Sequence, residues 1–262
     1  MSPAHGSAEP PRLLPAPWEL PDVGAVMSTR CGGVSAAPWD SLNLGAAVGD
    51  DPGAVAENRR RFTAALAGAR PVWLRQVHGV AVLRLQPLTP EHPDAAADAA
   101  WTTERGLACV VGAADCMPVL VARRGGGAVG AAHAGWRGLA AGVVQGLVAA
   151  ICEGAGCQPA DLCAWLAPCI GPQAFEVGAD VLEAFGVVPG PRDLPHFTFR
   201  PRADGSARWH ADLQGLAAQR LRELGLAEVH ATAACTYGDP SRFFSFRRDG
   251  RTGRMAAAIW RR

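Results

Sequence analysis

Hydrophobic positions along this chain gather into short apolar runs broken by glycine, proline or charge, and the runs are sharpest from residue 107 onward. Residues 107–111, 119–122, 128–132 and 162–166 are almost wholly apolar, as strands covered on both faces are. Upstream, 23–28 reads as a strand that Gly32 and Gly33 break, and 72–74 and 80–85 as strands flanking a turn at 76–79. Helical spacing runs through 54–66, opened by Asp50-Asp51-Pro52 and closed by Gly68, and returns at 136–151, 179–185 and 213–224. Residues 89–100, rich in Pro, Asp and Ala, read as a loop, and 227–231, 242–246 and 255–260 as the final strands. There are no repeats. Irregular alternation of strands and helices predicts an α+β fold or mixed α/β layers rather than a doubly wound sheet.

Composition narrows this picture. With 262 residues and 49% hydrophobic content, the chain can bury one large core or two smaller lobes; we expect a single domain over 22–262 behind a flexible tail at 1–21. No run reaches the roughly 18 apolar residues of a membrane span. The formal net charge is +1 and the basic residues are arginines scattered along the chain, which argues against nucleic acid as a partner. Absence of lysine excludes a Schiff-base lysine. Eight cysteines in so long and apolar a chain, with no signal peptide, point to the cytoplasm rather than to a disulfide scaffold.

Candidate chemistry sits at the ends of the apolar runs. Ala114-Asp115-Cys116-Met117-Pro118, His133-Ala134-Gly135-Trp136-Arg137-Gly138 and Gln76-Val77-His78-Gly79 bring a thiol and two imidazoles to strand ends. His78, Cys116 and His133 can form a zinc site with an open fourth position, or Cys116 can be a nucleophile with an imidazole base. The plain alternative is a buried cysteine and two ordinary loop histidines. Asp115 is placed to orient a ligand histidine or to contact substrate, and Gly79 and Gly135 let backbone approach closely. Arg137 beside exposed amides suits phosphate or another anion. Cys152, Cys157, Cys163 and Cys169 could form a second, closed metal site, but their placement favours packing.

The motifs carry a resemblance. Together with Thr29-Arg30-Cys31-Gly32-Gly33-Val34-Ser35, Ser41-Leu42-Asn43-Leu44-Gly45, Val48-Gly49-Asp50, Ile170-Gly171-Pro172, Phe175-Glu176-Val177-Gly178, Phe244-Ser245-Phe246-Arg247-Arg248-Asp249-Gly250 and Thr252-Gly253-Arg254, they resemble the successive motifs of the YfiH, or laccase-domain, family. The resemblance implies an α/β/α-type mixed fold related to the cysteine deamidase toxins of the cytotoxic necrotizing factor class. It implies a metal on His78, Cys116 and His133, zinc first and copper as the alternative. It also implies three functions: phosphorolysis of adenosine, inosine and methylthioadenosine with adenosine deamination, polyphenol oxidation, and editing of muramyl amino acid precursors of peptidoglycan. Two positions depart from the usual pattern, Cys169 before Ile170 and Phe246 where tyrosine is frequent.

Chemistry ranks these functions. A laccase needs many imidazoles, and of seven histidines His5 lies in the tail while His92, His196, His210 and His230 lie in unrelated segments. Phosphorolysis asks for a phosphate site, met by Arg137 with Arg30 or Arg247 as further candidates, and for polar groups on ribose and purine, met by Asn43 and Gln76. Trp136 and Phe175 are aromatic candidates for stacking on the base. Deamination would add a carboxylate proton shuttle, for which Asp115 is nearest in sequence. The amidase alternative uses Cys116 as nucleophile, His133 as base and Asp115 or a backbone carbonyl as orienter. The expected enzyme is a monomer or homodimer acting on purine nucleoside and phosphate.

Overall fold

The run at 107–111 is apolar throughout because its two faces meet different cores. In the computed structural model, which describes residues 9–262, the strand Leu107–Ala113 turns Leu107, Cys109 and Val111 into one cluster and Ala108 and Val110 into another. Met255–Arg261 beside it divides in the same way, Met255, Ala257 and Ile259 facing one core and Ala256, Ala258 and Trp260 the other. Period-two alternation survives; it is hidden because both faces are dry.

Two sheets result. One has five strands in the order Leu13–Pro15, Val23–Ser28, Met255–Arg261, Leu107–Ala113 and Arg70–Trp73, antiparallel except for the last pair. The other has six, in the order Glu228–Ala231, Leu162–Leu166, Met117–Arg123, Val129–Ala134, Ala99–Thr102 and Val82–Arg84, with parallel pairs at both edges. They pack face to face through Met27, Leu120, Val129 and Trp165. Helix Pro52–Ala64 covers the outer face of the first through Phe62, and helices Val143–Ala155 and Leu213–Glu223 cover the second. The fold is α+β, as its mixed pattern implies, and two sheets rather than one lie between its helical layers.

Local chemistry explains where element boundaries differ from the expected ones. The helix expected over 136–151 is two, Trp136–Ala141 and Val143–Ala155, because Gly142 takes φ 104°. Residues 242–245 form no strand: Ser245 accepts from the Arg248 amide and caps the short helix Phe246–Asp249. The loop expected over 89–100 ends early, in the strand Ala99–Thr102. A small sheet of Glu176–Val177, Trp209–Ala211 and Phe197–Phe199 has no clear sequence signal. Of the tail expected over 1–21, residues 1–8, with His5, lie outside the described residues. Leu13–Pro15 is a strand instead, and Leu14, Trp18 and Leu20 pack against the inter-sheet core.

All eight cysteines are free. Among the described residues, Cys152, Cys157, Cys163 and Cys169 form no metal-binding group, and no helix is long and apolar enough to cross a membrane.

Gly154 gives a stability test. A β-carbon there would run into the buried Trp101 ring, so Gly154→Ala, which ordinarily gains about 1 kcal/mol of helix propensity, should instead destabilise by about 1–3 kcal/mol in urea unfolding. A stabilised variant would contradict this packing.

Candidate metal centre

The hairpin of Met117–Arg123 and Val129–Ala134 pairs Met117 with Ala134 and Pro118 with His133, which sets Cys116 alongside Gly135 at its mouth. A β-carbon on Gly135 would come within 2.9 Å of Cys116 Sγ and 3.0 Å of His78 Cδ2, so glycine is what lets the thiol and the imidazole converge here. His78 arrives on the loop after Arg70–Trp73 in a left-handed conformation, φ 61°, which is uncommon outside glycine.

Asp98 holds that conformation. Its carboxylate accepts from the amides of Val77 at 3.1 Å, His78 at 2.9 Å and Gly79 at 2.7 Å, and lies 2.9 Å from His133 Nδ1. Asp98 is fully buried, and its carbonyl accepts from the His133 amide. This pairing keeps a proton on Nδ1 of His133, so Nε2 is the nitrogen available to a metal once its own proton is released.

The three donor atoms lie within 4.8 Å of one another, with Cys116 Sγ 3.7 Å from His78 Nε2. A tetrahedral zinc with bonds of about 2.0–2.3 Å needs ligand separations of about 3.3–3.8 Å, which the Cys116–His78 pair already meets. His133 is buried, Cys116 half-buried and His78 exposed, so the set opens to solvent on the His78 side.

Electrostatics tie the donors together. Burial alone would push the Cys116 thiol up, but His133 and His78 outweigh it and bring it down from 9.0 to about 6. Burial would likewise lower His133, yet Asp98 and Cys116 raise it from 6.5 to about 9. Asp98 is itself held below the usual carboxylate range: its burial opposes this, but His133 and the Gly79 and Val77 amides prevail.

The other sequence candidates separate. Arg137 is exposed with its guanidinium 4.3 Å above the Trp136 ring, and among the described residues it has no acceptor. Asp115, at φ 86°, accepts from the Thr236 hydroxyl at 2.6 Å and the Arg247 amide at 2.7 Å, so the orienting place expected for it belongs to Asp98. Asn43 is buried, bonded to Gly45, Asp50 and the Arg254 amide, and Gln76 is paired with both backbone groups of Gly112. Arg30 is spent on Asp40, the Pro240 carbonyl and the Phe244 ring. These three side chains build the fold around the centre. Arg247 donates to the Glu176 carbonyl over the Phe175 ring, and Phe175 is buried. Asp98 lies in a stretch whose Pro, Asp and Ala content reads as a loop, so the sequence gives no hint of its role beyond an acid directly preceding the apolar run 99–101.

Residues 24–262 match the family described as multi-copper polyphenol oxidoreductase laccase. The chain belongs to this laccase-domain, or YfiH, family. Among laccase-domain relatives, it is 47% identical over 249 residues to a purine nucleoside phosphorylase of Pseudomonas aeruginosa, covering 93% of this chain and 98% of that one. It is 46% identical over 253 residues to the purine nucleoside phosphorylase YfiH of Escherichia coli, covering 95% and 98%. A Neisseria meningitidis DUF152 structure superposes with TM-score 0.84 at 41% identity, covering 95% of this chain and 98% of its own, and YlmD of Geobacillus stearothermophilus with 0.82 at 33%, covering 93% of each.

Two measurements probe the centre of this laccase-domain chain. In metal-free protein the depressed thiol contributes stability that is lost as pH falls through about 6, and the raised imidazole stability that is lost as pH rises through about 9. Alkylation of Cys116 should therefore rise through pH 6 and level off; half-maximal labelling near 9 would refute the coupling. Asp98→Asn should weaken metal binding roughly 10–100-fold and move that alkylation midpoint upward; unchanged metal affinity would show that Asp98 does not order the ligands.

Proposed function

We propose that this protein is a metal-dependent purine nucleoside phosphorylase, converting adenosine, inosine and methylthioadenosine with phosphate to free base and ribose 1-phosphate. The observation that carries this is the convergence of His78, Cys116 and His133 on an open position, in a chain about half identical to relatives named purine nucleoside phosphorylases. Two imidazoles and a thiolate suit zinc better than a hard cation, with copper as the competitor. A zinc ion there would supply Lewis-acid chemistry at the open position.

In the reaction a phosphate oxygen bonds to the anomeric carbon, the glycosidic carbon–nitrogen bond breaks, and the purine leaves with the electron pair and takes up a proton. Arg137, two residues after Gly135, has no acceptor among the described residues and is assigned to phosphate. Asp98 keeps His133 in one tautomer. Deamination at the same centre is the weaker half of the proposal. Asp115, its nearest carboxylate in sequence, has both oxygens engaged, and Asp98 is committed to His133. Polyphenol oxidation by several coppers fits less well, since the described residues gather a single group of three donors. Free thiols agree with a reducing cytoplasm.

One observation favours a second reading. Cys116, His133 and Asp98 also form a thiol–imidazole–carboxylate series, the arrangement of a metal-free cysteine amidase of the kind that muramyl amide editing would need. Metal on Cys116 would block that attack, so the two readings compete for one sulfur.

The deciding assay incubates metal-quantified protein with inosine or adenosine, with and without phosphate, and reads base, ribose 1-phosphate and ammonia by mass spectrometry. Phosphate-dependent ribose 1-phosphate, lost on chelation and in Cys116→Ala, is expected. Phosphorolysis persisting without metal would overturn the metal-dependent reading, and amide cleavage by stripped protein would establish the second.

A further inference from the structure

Arg254 stands at a strand end close in register to the metal centre. Antiparallel pairing of Met255 with Ala113 places Arg254 opposite Ala114, two residues before Cys116. Its guanidinium carbon lies 5.8 Å from the exposed Phe246 ring, and the next amide, of Arg247, donates to the Asp115 carboxylate. Phe246, Asp115, Cys116 and Arg254 thus border one region.

The chain invests heavily in holding this arginine. A β-carbon on Gly45 would come within 2.7 Å of Arg254 Cγ, so glycine there makes room for the stem. Asn43 Oδ1 accepts from the Arg254 amide, and the Arg254 carbonyl accepts from the Leu44 amide. Asn43 is in turn fixed by Asp50, and its carbonyl by Asn58. Nη1 donates to the carbonyls of Thr252 and Gly253, and among the described residues no carboxylate pairs with the guanidinium. Thr252 itself has a buried hydroxyl without a partner. Burial lowers the Arg254 pKa, while Cys116 and Asp115 act to raise it, in keeping with a cation near the centre. A half-buried charge without a counter-ion, held to the carbonyl of a residue whose own hydroxyl is unsatisfied, is costly unless an anion completes it.

We propose that Arg254, with the Thr252 hydroxyl, forms the inner phosphate subsite of the centre, and that the exposed Arg137 serves as its second cation. Naming the anion as the phosphate co-substrate rests on the phosphorylase reading; the anion site itself does not. Phosphate held by Arg254 and Arg137 would be oriented from two sides, which a single exposed arginine does not achieve.

The test uses full-length, metal-loaded protein and its Arg254→Gln, Arg254→Lys and Thr252→Val variants, with inorganic phosphate as probe. Calorimetric phosphate affinity, measured without nucleoside, should fall roughly tenfold to a hundredfold in Arg254→Gln and by smaller factors in the other two. Steady-state KM for phosphate should rise in parallel, with KM for inosine and metal content unchanged. Unaltered phosphate affinity in variants that keep wild-type thermal stability would overturn the proposal, as would loss confined to metal content. If the wild type binds phosphate through Arg254 but does not phosphorolyse nucleosides, the subsite stands and the phosphorylase reading fails.

Discussion

One buried carboxylate organises this molecule's chemistry. Asp98 accepts three successive amides of the His78 loop and faces a ring nitrogen of His133, so a single side chain sets the backbone of one imidazole and the tautomer of the other. A buried charge is tolerable only when it is fully satisfied, and here its satisfaction and the positioning of the donors are the same set of bonds. Removing that charge would release both histidines together.

The sheets supply the rigidity this needs. His133 lies in a hairpin covered on both faces and Cys116 directly precedes its partner strand, so their separation follows largely from strand register. Around them, residues suited to substrate contact by type serve the scaffold instead. Asn43 and Gln76 bond to backbone, and Arg30 braces two loops. The motifs that mark the family in sequence are therefore partly candidate ligands and partly the frame around them.

This division explains what could be read from sequence. The thiol and both imidazoles were legible because Cys and His at the ends of apolar runs, with Gly79 and Gly135 close to the two imidazoles, suit metal ligation or nucleophilic catalysis as well as plain packing. Strand positions at 107–111 and 255–260 were legible from apolarity alone, since both faces are buried. The break at Gly142 was not, because a glycine within helical spacing is read as tolerated until a positive φ shows otherwise. Asp98 was hidden for a different reason: a carboxylate's role depends on amides some twenty residues away, and no local pattern records them. The short helix after Ser245 was hidden by Phe243 and Phe244, whose burial imitates a strand.

The alternation of Met255–Arg261 between two cores bears on how such chains can diversify. Adding or deleting one residue there would send Ala256 and Trp260 to the face built for Met255 and Ile259, scrambling both interiors at once. Length variation must therefore be exported to segments outside the paired strands, such as residues 188–196 and 200–208, which belong to neither main sheet. The two stacked sheets act as a ruler that evolution can decorate at its ends but cannot re-mark.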